Sequence, residues 1–304
     1  MRIKVLGAAA GGGLPQWNCT CSNCSAIRNN QLGIRVRSQS QLAVSARDGS
    51  WFLINASPDI REQLINNQEF YPNSDNGLRN TPVAGVILTS ADLDHVLGLL
   101  LMREFTPIRI YATKAVASIL QKNSFFQMLD RLPGQSRWTT IEPGVSFHVG
   151  ESLICTPIAL SGNLPAYVGG KERAALDPAE ATIGIILEEA NGERVAYLPA
   201  LSSVSTSLKE VLSACSVILV DGTFWRDDEL QSIQPGTPLA RSMGHLPISG
   251  QDGSLATLRD LKSVRRIYTH INNTNPILNE QSSERRQVND AGWEVAWDGL
   301  EITI

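Results

Sequence analysis

The chain contains 304 residues, of which 42% are hydrophobic and 18% are charged, a composition that supports a large core and excludes extensive disorder. Its formal net charge of -4 and its scattered Lys and Arg residues exclude a broad basic surface for nucleic acid. No stretch has the basic start and apolar run of a secretory signal, or the roughly 20 apolar residues of a membrane span. We expect a cytoplasmic protein that neither binds nucleic acid nor inserts into a membrane.

Short apolar runs alternate with amphipathic segments along the chain, a pattern typical of sheets covered by helices. In chain order, we predict strands at 3–6, 41–46 and 51–55, a helix at 60–65 introduced by Ser57 and Pro58, a strand at 83–88, a helix at 96–102, a strand at 108–112, a helix capped by Thr113 that ends near Leu120, and a helix at 125–132. The remaining predicted elements are strands at 183–187, 194–198 and 217–220, a helix at 255–261, and strands at 266–268, 293–297 and 300–304.

Two turn pairs indicate how strands are joined. Asn191-Gly192 tolerates positive φ, as a tight hairpin demands, and therefore predicts antiparallel pairing of the strands on either side. Asp298-Gly299 predicts a hairpin between the last two strands. Two β-halves of mixed direction, each carrying helices, fit one four-layer αββα sandwich. We predict the α/β class and a single domain over residues 1–304.

Two carboxylates and an imidazole stand close together in Ser90-Ala91-Asp92-Leu93-Asp94-His95, where a predicted strand ends and a helix begins. Side chains at such a sheet edge can converge on one metal ion. A structural interpretation is equally open, in which Asp92 caps the helix, Asp94 lies in its first turn and His95 is simply buried. The segment taken alone leaves both interpretations standing.

This segment resembles the His-x-His-x-Asp-His signature of the metallo-β-lactamase superfamily. Ser90 and Asp92 replace the two leading histidines, whereas Asp94 and His95 match. Asp221-Gly222-Thr223-Phe224, Gly244-His245 and Thr269-His270 extend the resemblance through most of the chain. The resemblance implies the metallo-β-lactamase fold and an active-site metal held by the following residues: Asp92, Asp94, His95 and His270.

The departures from the superfamily pattern favour one ion over two. Superfamily hydrolases use a further histidine and a bridging aspartate to hold a second metal. The corresponding segments here, 159–163 and 195–200, contain no histidine and no acid respectively. Two histidines and a carboxylate are also the ligands of non-haem Fe(II) oxygenases. Fe(II) and Zn are therefore both predicted candidates for the active-site metal.

Three of the five cysteines lie in Cys19-Thr20-Cys21-Ser22-Asn23-Cys24, a spacing that lets thiolates close around zinc. A phosphodiesterase branch of the superfamily carries a similar cluster, with its fourth ligand three residues after the terminal active-site histidine. The resemblance thus implies structural zinc at Cys19, Cys21, Cys24 and Asn273. Water or another side chain is the alternative fourth ligand, and packed or reactive thiols are the alternative to zinc.

Asp221 and His245 are candidates for catalytic groups in the wall of the cleft, although a buried aspartate or histidine can also serve to hold a loop. The glycine-rich segment from Gly7 to Gly13 lacks the spacing of a dinucleotide fingerprint. We expect this loop to pack closely beneath the site. Cys155 and Cys215 lie in apolar stretches and are expected in the core.

Three segments together carry a narrower resemblance: Gly-Ala-Ala-Ala-Gly-Gly-Gly-Leu-Pro-Gln-Trp-Asn-Cys at 7–19, Ser-Ala-Asp-Leu-Asp-His at 90–95 and His-Ile-Asn-Asn-Thr-Asn-Pro at 270–276. With them the whole chain resembles the PqqB family of pyrroloquinoline quinone (PQQ) biosynthesis. That family's pathway builds PQQ from a glutamate and a tyrosine of a precursor peptide, and the tyrosine ring must gain oxygen.

The resemblance therefore implies that the protein hydroxylates the tyrosine ring of a Glu-Tyr-derived intermediate with Fe(II) and dioxygen. The residues in catalytic roles would be Asp92, His95, Asp221 and His245. One alternative is a carrier that moves PQQ or its precursor towards the periplasm with other pathway proteins. A zinc-dependent hydrolase is another. The sequence predicts no particular oligomeric state.

Overall fold

The computed structural model describes residues 1–45, 49–160 and 162–304. Its strands are β1 (Arg2–Gly7), β2 (Gln41–Ser45), β3 (Trp51–Ile54), β4 (Val83–Ile87), β5 (Ile108–Ala112), β6 (Ser136–Thr140), β7 (Phe147–Val149), β8 (Leu153–Ala159), β9 (Ile183–Glu189), β10 (Arg194–Leu198), β11 (Val217–Asp221), β12 (Arg265–Thr269), β13 (Trp293–Val295) and β14 (Glu301–Thr303).

The α-helices are α1 (Ser22–Arg28), α2 (Ile60–Ile65), α3 (Leu93–Val96), α4 (Lys114–Lys122), α5 (Gly170–Arg173), α6 (Thr206–Ser213), α7 (Glu229–Ile233), α8 (Ser254–Thr257) and α9 (Ser283–Asp290). Short 3-10 helices lie at Gln68–Phe70, Ser74–Asn76, Leu97–Met102, Phe126–Asp130, Pro178–Glu180, Arg241–Met243 and Pro276–Leu278. Among the helices of the described residues, none is both long and apolar enough to cross a membrane.

The strands form two seven-stranded sheets of mixed direction. The first sheet has the order β14-β1-β2-β3-β4-β5-β6, and the second has the order β13-β12-β11-β10-β9-β8-β7. Strands β3 to β6 run parallel in the first sheet, and β10 to β13 run parallel in the second. Strands β9 and β10 pair antiparallel around Asn191-Gly192, as their turn predicts. The parallel strands place several loops at one edge of each sheet.

Three apolar clusters fill the spaces between four layers. Between the sheets, Val5 and Leu42 of the first meet Ile185 and Leu219 of the second. A second cluster packs α2 and α4 on the outer face of the first sheet, and a third packs α6 and α9 on the outer face of the second. The predicted four-layer αββα sandwich, the metallo-β-lactamase fold, is therefore confirmed.

Several local predictions need correction. The segments predicted as helices at 96–102 and 125–132 are mainly 3-10 helices, and α8 covers only the start of the segment predicted at 255–261. Helix α2 has its predicted bounds, but its N-cap is Asp59, and the Ser57 hydroxyl accepts the Asp59 N–H instead. The strand predicted at 41–46 is described from Gln41 to Ser45, and Ala46 lies outside the described residues.

The predicted C-terminal hairpin is wrong. Strand β13 pairs with β12 in the second sheet, whereas β14 pairs with β1 in the first. The turn pair between them crosses from one sheet to the other. Asp298 holds this crossing in place, since its carboxylate accepts the N–H groups of Ala8 and Ser38 at 3.0 and 2.6 Å.

Candidate metal centre

The predicted metal ligands lie where parallel strands of both sheets end. Asp94 and His95 follow β4 of the first sheet, and His270 follows β12 of the second. The Ile183 N–H donates to the Thr89 carbonyl at 2.8 Å, which ties the loop after β4 to the second sheet. The fold thus carries ligands from two halves of the chain to one edge.

The glycine-rich loop after β1 packs against this edge. The Ala10 N–H donates to the Ile271 carbonyl, and the Ile271 N–H donates to the Ala8 carbonyl, both at 2.9 Å. A Cβ added to Gly11 would lie only 3.5 Å from the carboxylate of Asp94. The loop therefore packs against the site, as the sequence predicts.

Asp94, His95 and His270 each present one ligand atom, and these atoms lie within 4.8 Å of one another. Asp94 Oδ2 is 3.1 Å from His270 Nε2 and 4.0 Å from His95 Nε2. The Nε2 atom of His95 is buried and has no hydrogen-bond partner among the described residues. A buried, unpartnered imidazole nitrogen beside a carboxylate fits a divalent metal ion.

Hydrogen bonds fix the tautomer of His95. The Ser90 hydroxyl has one proton, and it donates that proton to Asp92 Oδ2 at 2.8 Å, because an ionised carboxylate can only accept. Ser90 Oγ also lies 2.9 Å from His95 Nδ1 and must therefore accept a proton from it. His95 consequently carries its proton on Nδ1 and turns the lone pair of Nε2 towards Asp94.

The same logic applies to His270. The Thr223 hydroxyl lies 2.5 Å from Asp221 Oδ1 and donates to it. Thr223 Oγ1 is also 2.9 Å from His270 Nδ1 and accepts the proton of that nitrogen. In the neutral imidazole, the lone pair of His270 Nε2 then faces Asp94. Partners of this kind on the far nitrogen orient a ligating histidine and raise its basicity.

The local electrostatics favour the protonation states of metal ligands. Burial lowers the pKa of His95, which keeps its imidazole neutral. Burial alone would raise the pKa of Asp94, but its charge interaction with His95 and its hydrogen bond and charge interaction with His270 outweigh burial and hold that pKa well below its usual range. The site therefore offers an ionised carboxylate to a metal ion, and burial favours the neutral, ligating form of His95.

His270 has φ of +54° at a buried position, a backbone conformation that costs free energy for a non-glycine residue. Its carbonyl lies 2.9 Å from Thr223 Oγ1, and the segment that follows it is fixed by several hydrogen bonds described below. The surrounding contacts hold the imidazole in place at the expense of local strain.

Asp92 stands outside the three-residue ligand group. It occupies the N-cap of α3, but its side chain makes no cap hydrogen bond. Its carboxylate instead accepts from Ser90 and lines the cavity beside the site. The structure therefore brings Asp94, His95 and His270 together, and a ligand role for Asp92 stays a prediction.

Asp221 and His245 form a hydrogen-bonded pair behind the ligand group. Asp221 Oδ2 is 2.7 Å from His245 Nδ1, and the His245 ring stacks on His270 with a centroid distance of 5.5 Å. Burial alone would lower the pKa of His245, but the Asp221 carboxylate raises it above its usual value. Their facing atoms are already bonded to each other. We interpret the pair as an orienting and proton-accepting unit, not as ligands of a second metal.

A cavity of about 610 Å³ opens over the metal centre. Its polar wall includes Asp92, Asp94 and His245, and its apolar wall includes the following residues: Leu164, Pro165, Phe224, Leu230 and Met243. The volume lies within the range of small-molecule sites. A ligand with an aromatic ring can pack against the apolar wall while a polar atom faces the metal centre.

The three clustered cysteines surround the side chain of Asn273. The amide nitrogen of Asn273 lies 3.1, 3.5 and 3.4 Å from the Sγ atoms of Cys19, Cys21 and Cys24. Because amide N and O are assigned from the hydrogen-bond network, a flipped amide would turn oxygen towards the same point. Three sulfurs and one amide oxygen fit zinc, and the sequence-predicted set is brought together.

Backbone N–H groups also point at these sulfurs, from Gln16 to Cys24 at 3.3 Å and from Cys21 to Cys19 at 3.4 Å. Burial raises the pKa of Cys21 to about 12, whereas hydrogen bonds from the neighbouring groups outweigh burial and lower the pKa of Cys19. The thiols of Cys19 and Cys21 therefore differ in pKa when no metal is bound. Cys155 and Cys215 are buried in the core, as expected.

The cysteine cluster is physically connected to His270. The Asn23 side chain donates to the carbonyls of Asn273 and Asn275, both at 2.9 Å. The Asn275 side chain donates to the Gly222 carbonyl at 2.8 Å, beside the Asp221 and Thr223 pair. Helix α1 therefore anchors the segment that carries the metal ligand His270.

The sequence identifies Ser90 only as the replacement of a histidine and Thr223 only as part of a motif, and it does not show their roles here. A hydroxyl two residues from a predicted site residue is the available signal, since Ser90 precedes Asp92 and Thr223 follows Asp221 at that spacing. Arg173 of α5 also lines the cavity over this site, and the sequence gives no signal for it, because no predicted site residue lies near it in the chain.

Comparison with known proteins agrees with this architecture. Residues 50–271 match the family model described as a beta-lactamase superfamily domain. The coenzyme PQQ synthesis protein B of Methylobacterium sp. (strain 4-46) is 40% identical over 304 residues, covering all of both chains. The protein of the same name from Ruegeria pomeroyi is 42% identical over 306 residues, again covering all of both.

Solved structures give the same result. The crystal structure of Zn(2+)-bound PqqB from Methylobacterium extorquens superimposes with a TM-score of 0.92 at 38% identity, covering all of both chains. A diphosphatase of the PhnP family, 20% identical, gives a TM-score of 0.67 over all of this chain and 97% of that one. The second likeness shows a shared fold alone.

Proposed function

Because the chain belongs to the coenzyme PQQ synthesis protein B family, we propose that it hydroxylates the tyrosine ring of a Glu-Tyr-derived intermediate in PQQ biosynthesis. The reaction replaces one aromatic C–H by C–OH. One atom of dioxygen enters the ring, and the other leaves as water after an external reductant supplies two electrons and two protons. The product is an ortho-dihydroxylated ring.

The observation that carries this proposal is the grouping of two imidazole nitrogens and one carboxylate oxygen within 4.8 Å of one another. Two histidines and a carboxylate are the ligand set of mononuclear Fe(II) oxygenases, which leave coordination positions open. An Fe(II) ion held by Asp94, His95 and His270 would supply the activation of dioxygen. The network through Ser90 and Thr223 supports this assignment, because it accepts the Nδ1 proton of each imidazole and leaves Nε2 of the neutral ring for the metal.

The arrangement of His245 supports a role as proton acceptor. Its Nδ1 is held by Asp221, which leaves Nε2 available, and its side chain lines the cavity. The raised pKa of His245, due to the Asp221 carboxylate in spite of burial, suits acceptance of a phenol proton. Removal of that proton increases the electron density of the ring carbon that gains oxygen.

The same geometry disfavours the zinc-hydrolase alternative. Two-metal hydrolysis needs a second complete ligand set. Within the described residues, the other histidine-containing group consists of Asp221, His245 and His270. It shares His270 with the first group, and its Asp221 and His245 are hydrogen-bonded to each other at 2.7 Å. The apolar wall around Phe224 and Met243 would pack an aromatic ring and exclude water from it.

The proposal is tested by loading the protein anaerobically with Fe(II), adding Glu-Tyr peptide and a reductant, and then admitting dioxygen. Mass spectrometry should show a gain of one oxygen per ring. Zinc-loaded protein and His270→Ala, each checked for folding by thermal melting, should show none. Tight binding of the peptide or of PQQ without oxygen gain would favour the carrier alternative, and phosphodiester cleavage by zinc-loaded protein would favour the hydrolase.

A further inference from the structure

The charged wall of the cavity over the metal centre is mostly acidic. Asp92 and Asp94 line it directly, and Asp221 lies behind His245. Among the described residues that line this cavity, Arg173 is the one lysine or arginine. Apart from the metal centre and its histidines, an anionic ligand that enters the cavity therefore meets one basic side chain, that of Arg173.

The guanidinium of Arg173 is held by the wall itself. Its Nη2 donates to the carbonyls of Leu164 and Pro165, at 3.1 and 2.7 Å. Arg173 forms no ion pair with a carboxylate in the part of the chain that the structure describes. An arginine has five N–H donors, so Nε and Nη1 retain three of them for a ligand. The charge is fixed in position but not neutralised.

The segment that carries Arg173 is tied down on both sides of the cavity. The Tyr167 hydroxyl donates to the Ala91 carbonyl, next to the metal-ligand loop. The Asn163 side chain donates to the Ser242 carbonyl at 3.0 Å, in the loop that carries His245. A cation presented from a segment fixed in this way loses little conformational entropy when it binds a ligand.

We propose that Arg173 binds a carboxylate of the substrate and thereby selects acidic tyrosine-containing molecules. The inference rests on the proposed function for the identity of that substrate. A Glu-Tyr molecule carries carboxylates remote from its phenol, so the ring can face His245 while a carboxylate reaches a cation elsewhere in the wall. Charge-assisted hydrogen bonds from a guanidinium to a carboxylate are among the strongest in proteins.

The test measures binding alone, by calorimetry on zinc-loaded protein, so that hydroxylation is not required. The ligands are Glu-Tyr, Gln-Tyr, which lacks the side-chain carboxylate, Glu-Tyr amide, which lacks the terminal one, and N-acetyl-tyrosinamide, which lacks both. Wild-type protein should bind the ligand without the recognised carboxylate on the order of 10- to 100-fold more weakly. Weaker binding of Gln-Tyr would assign the side-chain carboxylate to Arg173, and weaker binding of Glu-Tyr amide would assign the terminal one.

Arg173→Met should abolish this discrimination between the ligands. Lys171→Met is the matched control, because it removes the same charge at an exposed position of the same helix α5. This variant should still discriminate between the ligands. If Arg173→Met does not fold, Arg173→Gln, whose amide can still donate to the loop carbonyls, takes its place with the same expectation.

Equal affinity of wild-type protein for all four ligands would overturn the role of Arg173 and leave the tyrosine-ring assignment standing. Discrimination that persists in Arg173→Met or Arg173→Gln would also overturn it. Binding of none of the four ligands would contradict the proposed function itself, and the role of Arg173 with it.

Discussion

The Nε2 atom of His270 lies 3.1 Å from Oδ2 of Asp94, and in the neutral imidazole the hydrogen bond from Nδ1 to Thr223 leaves that Nε2 without a proton. Two acceptor atoms at this separation repel each other unless a cation interacts with both. His95 adds a third acceptor, buried and unpartnered. The hydrogen-bond network thus prepares the three residues for a metal ion before one binds.

Removing the charge of Asp92 and removing that of Asp94 should lower the metal affinity by different amounts. Asp94→Asn should abolish metal binding at the site, because Asp94 belongs to the ligand group. Asp92→Asn should weaken it by about 10- to 100-fold, because its carboxylate acts through Ser90 on the tautomer of His95. Chelator competition measures both. Equal loss in the two variants would instead make Asp92 a direct ligand, as the sequence resemblance implies.

The hydroxyl of Thr223 should matter for the metal although Thr223 is not in the ligand group. Thr223→Val keeps the shape of the side chain but removes the acceptor for His270 Nδ1 and the donor to Asp221. We expect a loss of metal affinity of about 10- to 100-fold. Thr223→Ser keeps the hydroxyl and is the matched control. Wild-type affinity in Thr223→Val would show that the tautomer of His270 is fixed by other contacts.

Cys24→Ser should affect both metal sites. It removes a sulfur from the cysteine cluster, and helix α1 anchors the segment of His270 through Asn23 and Asn273. We expect loss of one zinc per chain, a lower melting temperature and weaker metal binding at the active site. Cys215→Ala, a buried cysteine outside the cluster, should retain its full metal content. Metal analysis that finds no zinc lost from Cys24→Ser would contradict a zinc site there.

The buried carboxyl group of Glu229 should make the free energy of unfolding depend on pH. Burial raises its pKa from a usual value near 4.5 to about 7. The folded protein then holds a proton that the unfolded chain has released, so this term is fully favourable below about pH 4.5 and is lost as the pH rises through about 7. The loss is about 3 kcal/mol. Glu229→Gln should remove this pH dependence of the free energy of unfolding, measured by denaturant titrations. Glu62→Gln, at an exposed position, should keep it. The same dependence on pH in both variants would show that Glu229 is not its source.

Much of the fold was predictable because its signals are local. The apolar runs that became β5 and β10 have the bounds expected from the sequence, and so does α2. The C-terminal hairpin was predicted wrongly, because a turn pair cannot show that β13 and β14 find their partners in different sheets. Those partners lie far away in sequence, and Asp298 is held by equally distant backbone groups.

The site was predictable in its ligands and not in its supporting network. Asp94 and His95 lie in the helix that follows β4, and His270 directly follows β12, so their convergence follows from the topology. The proton arrangement depends on which hydroxyl faces which imidazole nitrogen. Only coordinates show that Ser90 faces His95 and that Thr223 faces His270.

The most direct test of this account is a turnover in oxygen-18 gas, with Fe(II)-loaded protein, Glu-Tyr peptide and a reductant in ordinary water. We predict a product ring that carries one oxygen-18 atom, and no product from Asp94→Ala under the same conditions. Oxygen drawn from water, or no oxygen gain by protein that retains its iron and binds the peptide, would contradict the assignment of this site as an oxygenase.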